Sequence, residues 1–146
     1  MTEPRPEGSR ALTGIAAGVL WAAISFAADG VLAVIIDRDP ITADVGPYYA
    51  VVAFASAGLA VGVVTARTTT APRPGGGAVA AAASVYLLFL LVALPWQLGL
   101  AIDQATSPFT AVAVVVAALV VTGFWGVRHI PTVPPDGRRG HPETLD

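Results

Sequence analysis

The sequence predicts an all-α polytopic membrane protein, an antiparallel bundle of four transmembrane helices with disordered tails, and three observations carry that expectation. Of the 146 residues, 55% are hydrophobic and only 12% charged, and the mean hydropathy is +0.70, well outside the range of an ordinary soluble domain. Four stretches are nearly free of charge: Ala11 to Ile36, Tyr48 to Ala66, Ala78 to Ile102 and Phe109 to Val127. Each holds the roughly 18 to 25 apolar residues that a helix rising about 1.5 Å per residue needs to cross about 30 Å of hydrocarbon. The runs are continuous in Ala, Val and Leu, without the ten-residue alternation of barrel strands or the polar face of a soluble bundle helix.

The first helix, 11–36, follows a tail, 1–10, whose "PRPEGSR" is too polar and Pro-rich to bury much. A charged start before an apolar run could open a secretory signal, with Ser25-Phe26-Ala27 as a small-x-small cleavage site. The apolar run continues past that point to Ile36, longer than a signal needs, so it is expected to remain as a span. The second helix, 48–66, begins after Gly46-Pro47 and is separated from the first by "DRDPITADVGP". Asp37, Asp39 and Asp44 in that loop lack the register of a calcium loop, and no metal site is expected there. "TTTAPRPGGG" reads as a flexible linker, 67–77, joining two helical hairpins. The third helix, 78–102, contains Pro95, which cannot donate a backbone hydrogen bond and should free the carbonyl of Leu91 and kink the helix. The fourth, 109–127, leads into a Pro-, Gly- and charge-rich tail, 129–146.

Arginine placement orients these helices. Arg5, Arg10, Arg67, Arg73, Arg128, Arg138 and Arg139 lie in the two tails and the middle connection, and Arg38 alone lies in the first connection. Retained positive charge marks the cytoplasmic side of short loops, so both termini and the middle linker are expected inside. All eight basic residues are Arg, which together with abundant Ala, Gly, Val and Pro resembles the product of a GC-rich bacterial genome. The expected location is therefore a bacterial plasma membrane, crossed four times. Tyr48, Tyr49 and Trp96 near the outer face, with Phe124 and Trp125 near the inner, fit interfacial belts.

Small residues four apart let helix backbones approach closely in lipid, where hydrophobic burial between helices supplies little. Gly14 and Gly18 form one such pair and Gly58 and Gly62 another. They are expected to pack helices within the chain, with a homo-oligomer face as the alternative. At 100° per residue from Gly18, Ala22 lies at about 40°, Ser25 at about −20° and Asp29 at about 20°, so Asp29 continues the small-residue ridge. Leu12, Leu20, Ile24 and Val31 lie on the far side, toward lipid.

An ionised Asp at the bilayer centre costs about 2.5 to 3.5 kcal/mol, so Asp29 should face other helices and find a partner. If the first helix runs to Ile36, Asp29 lies about 12 Å inside Asp37, eight residues along the axis; the alternative is an Asp29 at the outer interface beside a helix-ending Gly30. Gln97, six residues inside Asp103 on the third helix, stands at matching depth, and Tyr86 shares its helical face. The expected polar cluster is Asp29, Ser25 and Gln97, with Trp96 close by.

Nothing here names a reaction. There is no cysteine, no Gly-rich phosphate loop and no nucleophile–base set within the helices, and His129 and His141 lie in or beside the tail. No catalytic residue, cofactor or metal ligand is assigned, and no nucleic acid is expected as a partner. A four-helix chain with an acid in its first helix, Asp29, and an aromatic in its third, Trp96, is loosely similar to the small multidrug resistance transporters. That likeness implies proton exchange at the carboxylate, although Asp29 lies late in its helix and the arginine bias is strong, both unlike that family. The first outer loop and overall layout more closely resemble uncharacterised four-helix membrane proteins of actinobacteria, which implies no activity. The sequence therefore points to a non-enzymatic accessory or structural subunit in contact with the lipid bilayer, within a larger membrane complex or a homo-oligomer. The alternative is a small proton-coupled transporter or channel using Asp29.

Overall fold

A computed structural model describes residues 6–40 and 46–130 of the chain. They form five helices: α1 Pro6–Ile36, α2 Gly46–Thr68, α3 Gly75–Ala93, α4 Leu98–Thr106 and α5 Pro108–Arg128. Four of these, α1, α2, α3 and α5, are long and apolar enough to cross a membrane, and α4 is not. The protein is thus a four-helix, multi-pass membrane bundle. α1 packs on α2, α2 on α3, α3 on α5 and α5 back on α1, with α2 also meeting α5 across the middle. The lipid-facing surface is apolar, with Leu12, Leu20, Ile24 and Val31 exposed along the outer face of α1.

The elements differ from the sequence expectation chiefly at three places. α1 begins at Pro6, so residues 6–10 belong to the helix and not to a disordered tail. At its other end α1 does run to Ile36, where Asp37 takes a left-handed φ of 50° and the Arg38 N–H donates to the Ala33 carbonyl at 3.2 Å. That pairing is a Schellman closure, with Asp in the position usually held by Gly.

The linker 67–77 is largely helix at both ends, leaving only residues 69–74 between α2 and α3. It is a packed turn, not a flexible tether: Thr68 and Thr69 are buried, their hydroxyls donate back to the Val64 and Ala66 carbonyls, and Trp125 Nε1 donates to the Ala71 carbonyl at 3.0 Å. The Thr69 hydroxyl satisfies the Ala66 carbonyl, one of those that the helix end leaves open, and helps hold the turn in one place.

The third expected helix, 78–102, is two helices. α3 stops at Ala93, Gln97 takes an extended conformation (φ −161°, ψ 139°), and α4 starts at Leu98 as a separate nine-residue helix. Pro95 therefore ends the helix where a kink was expected. With no N–H to offer the Leu91 carbonyl, the ladder lapses, and the Trp96 and Gln97 N–H groups both turn to the Ala93 carbonyl. Ser107 then caps α5, accepting from the Phe109 N–H at 3.3 Å, with Pro108 at the first helical position.

The start of α1, the end of α5 and the α2–α3 turn share one end of the bundle, tied by the Trp125 bond to Ala71 and by an Arg128 bond to Ser9 Oγ at 3.2 Å. The α1–α2 connection and α4 form the other. The tail 131–146 and Asp44 lie outside the described residues.

Candidate functional site: a buried carboxylate beneath α4

The bundle interior has two unlike halves. Along α1 and α2, the four glycines named from the sequence meet face to face, antiparallel: Gly14 opposite Gly62 and Gly18 opposite Gly58. A methyl placed on Gly18 would stand 2.5 Å from the Gly58 carbonyl oxygen, and one on Gly62 would stand 2.6 Å from that of Gly14. Only a bare backbone permits this approach. Next to the seam, Trp21 is fully buried, donates its indole N–H to the Ala113 carbonyl of α5 at 2.9 Å, and stands with Phe54 and Phe89 at ring-centroid distances of 5.7 and 6.4 Å. Trp21 lies on the same face of α1 as Gly18 and Ser25, about 60° round from Gly18 by helical phase, and that phase was the signal for it in the sequence.

Asp29 lies beyond this aromatic layer, two turns from the end of α1. It is 7% exposed and Ser25, one turn below it, is wholly buried. Neither the Asp29 Oδ1 nor the Ser25 hydroxyl has a hydrogen-bond partner among the described residues. Buried polar side-chain atoms nearly always have one, so two orphans on one helix face are unusual.

The expected cluster is only partly assembled. Ser25 and Asp29 share a face, but Gln97 is exposed and does not line the space around Asp29. The reason is the same break that Pro95 causes: with α3 ended, Gln97 becomes the extended residue before α4 and its side chain leaves the bundle. Trp96 is also outside the cluster, 40% exposed, and reaches it only at second hand through an edge-to-face contact with Tyr49 at 5.8 Å. Tyr49 itself is buried and not part of an interfacial belt.

Another glutamine takes the expected place. Gln104, on the inner face of α4, is buried and lines with Asp29 a cavity of about 50 Å³. Thr110 Oγ1 donates to its Oε1 at 2.9 Å, a bond that leaves the amide's two N–H donors uncommitted to Thr110. Four rings, Tyr49, Phe54, Phe89 and Phe109, line it too, with Pro40, Ala50 and Ala53 between them. α4 is brought over this space by its contacts with α3 and α5, among them a long bond of 3.4 Å from the Tyr86 hydroxyl to the Ala105 carbonyl. In the sequence, Leu100, Ala101 and Gln104 at helical spacing just before the Ser107-Pro108 cap were the available signal for a short helix with a buried glutamine.

Chemically, the site offers one carboxylate, one amide and aromatic walls. No group of three or more His, Cys, Asp or Glu is gathered among the described residues, and a single carboxylate falls well short of the six or so oxygens a hard divalent cation takes. Compared with protein-family models, with curated proteins and with solved structures, the chain matches none.

Proposed function

We propose that this chain is a non-enzymatic accessory or structural subunit of a bacterial plasma membrane, with both termini and the α2–α3 turn in the cytoplasm. One observation carries the reading: between Asp29 and the end holding the α2–α3 turn, the bundle is filled. Ala17, Trp21, Ala57, Val61, Val85, Ala117 and Val121 are all fully buried, with Phe54 and Phe89 packed on Trp21. A conduit needs polar groups or water along its length, and the threonines buried at that end, Thr65, Thr68 and Thr69, donate back to carbonyls of α2. The orientation is supported by Arg10, Arg67, Arg73 and Arg128 at one end against Arg38 at the other.

A proton-coupled transporter or channel is the second reading, favoured by an Asp29 Oδ1 that no described residue satisfies. Proteoliposomes separate the two. The accessory reading expects proton flux equal to that of empty vesicles, whereas flux that depends on the protein and disappears in Asp29→Asn would replace it with the transporter. Orientation is tested in the same preparation, because the chain has no cysteine. A membrane-impermeant thiol reagent should label Asp39→Cys on intact cells and Thr70→Cys only after permeabilisation; the reverse pattern would invert the topology.

A further inference from the structure

The cavity at Asp29 has a composition that selects a ligand class. Its one charged group is a carboxylate 7% exposed, with an oxygen that no described residue satisfies. A carboxylate buried without a counter-charge is costly until something neutralises it. Gln104 is the other polar residue with a buried amide in the wall, its oxygen already taken by Thr110. Metal ions are poorly served by such a set, since they seek several oxygens. The rest of the wall is Pro40, Ala50, Ala53 and four rings, Tyr49, Phe54, Phe89 and Phe109, and ring systems attract weakly hydrated cations. Space for the occupant is about 50 Å³, against the 10 to 15 Å³ or so that one water needs on the same measure. That excludes a quaternary or drug-sized cation and admits an ion a few atoms across.

We propose that Asp29 and the aromatic walls around it form a binding site for a small ammonium ion, ammonium itself or methylammonium. The ion donates one N–H to the Asp29 Oδ1 and rests its remaining surface against the rings. A neutral amine that enters and takes up the proton of an uncharged Asp29 carboxyl arrives at the same pair, one proton shared between one amine and one carboxylate, so charge balances by either route. The site does not depend on the accessory role proposed above, which survives its loss.

The test is equilibrium binding of labelled methylammonium to the full chain in nanodiscs of zwitterionic lipid. Saturable binding of one ion per chain is expected, displaced by ammonium, not by equal sodium, and weakened at least about tenfold in Asp29→Asn. Phe89→Leu, which removes a ring and keeps an apolar wall, should weaken it severalfold. In the unmutated chain carrying ¹³C-labelled Asp, the Asp29 carboxyl signal should move with methylammonium and stay still with sodium, a readout that does not rely on any variant folding. Absence of saturable binding, equal displacement by sodium, or an Asp29→Asn chain that binds as well as the original would each overturn the proposal.

Discussion

The α1–α2 seam and the space beneath α4 lie within one bundle and solve the packing problem in opposite ways. At the seam, Gly14, Gly18, Gly58 and Gly62 bring two backbones together with nothing between them. Around Asp29, large rings from three helices and α4 enclose a gap and leave a carboxylate oxygen unmet. In lipid, where helices gain little from hiding apolar surface, contact of this first kind supplies most of the association energy. The difference teaches that the seam and the Trp21 layer carry the stability, so the far end can tolerate an imperfectly filled site.

Substitutions can sharpen or break that contrast. Trp21→Ala should have the largest effect, about 3 kcal/mol or more, since it empties the middle of the bundle and removes the hydrogen bond to α5. Reversible unfolding in mixed micelles measures it, and a cost under about 1 kcal/mol would mean that the aromatic layer is not the keystone. Gly18→Ala should cost about 1 to 3 kcal/mol by forcing α1 from α2. Gly58→Ala, whose methyl would stand 3.4 Å from the nearest atom, the Gly18 carbonyl oxygen, should cost clearly less in the same assay. Equal costs would contradict the asymmetric seam.

At the far end, Gln104→Ala should cost on the order of 1 kcal/mol by orphaning Thr110, while Gln97→Ala should be neutral within about 0.5 kcal/mol. The reverse ranking would restore Gln97 to the cluster. The smallest effect is expected at Gly123, where an added methyl meets nothing within 4 Å. Gly123→Ala should leave stability unchanged or raise it by a few tenths of a kcal/mol.

How much of this was legible in the sequence follows from which forces act locally. The four spans and the buried face of α1 could be read because hydropathy and a 100° phase are properties of the chain itself. Gly18, Ser25 and Asp29 do share the inner face, and Leu20 and Ile24 the outer. Pro95 was visible but its consequence was not: whether a proline kinks a helix or ends it depends on what the following residues can reach. Here the Trp96 and Gln97 N–H groups found the Ala93 carbonyl. From that one break come the exposure of Gln97, the separate α4 and the burial of Gln104. The α2–α3 turn departs from expectation for a related reason, because "TTTAPRPGGG" has a linker's composition while its order depends on Trp125, more than fifty residues away.

The central claim is that Asp29 is a buried carboxylate whose Oδ1 has no hydrogen-bond partner among the described residues, and the unfolding free energy of Asp29→Asn tests it most directly. Asn keeps the shape and removes the charge. The variant should be as stable as the original or more stable by about 1 kcal/mol, because the change removes an uncompensated buried charge and takes no hydrogen-bond partner from the Asp29 Oδ1. A loss of about 2 kcal/mol or more would contradict the account, since it would mean that Asp29 already holds a strong partner inside the bundle.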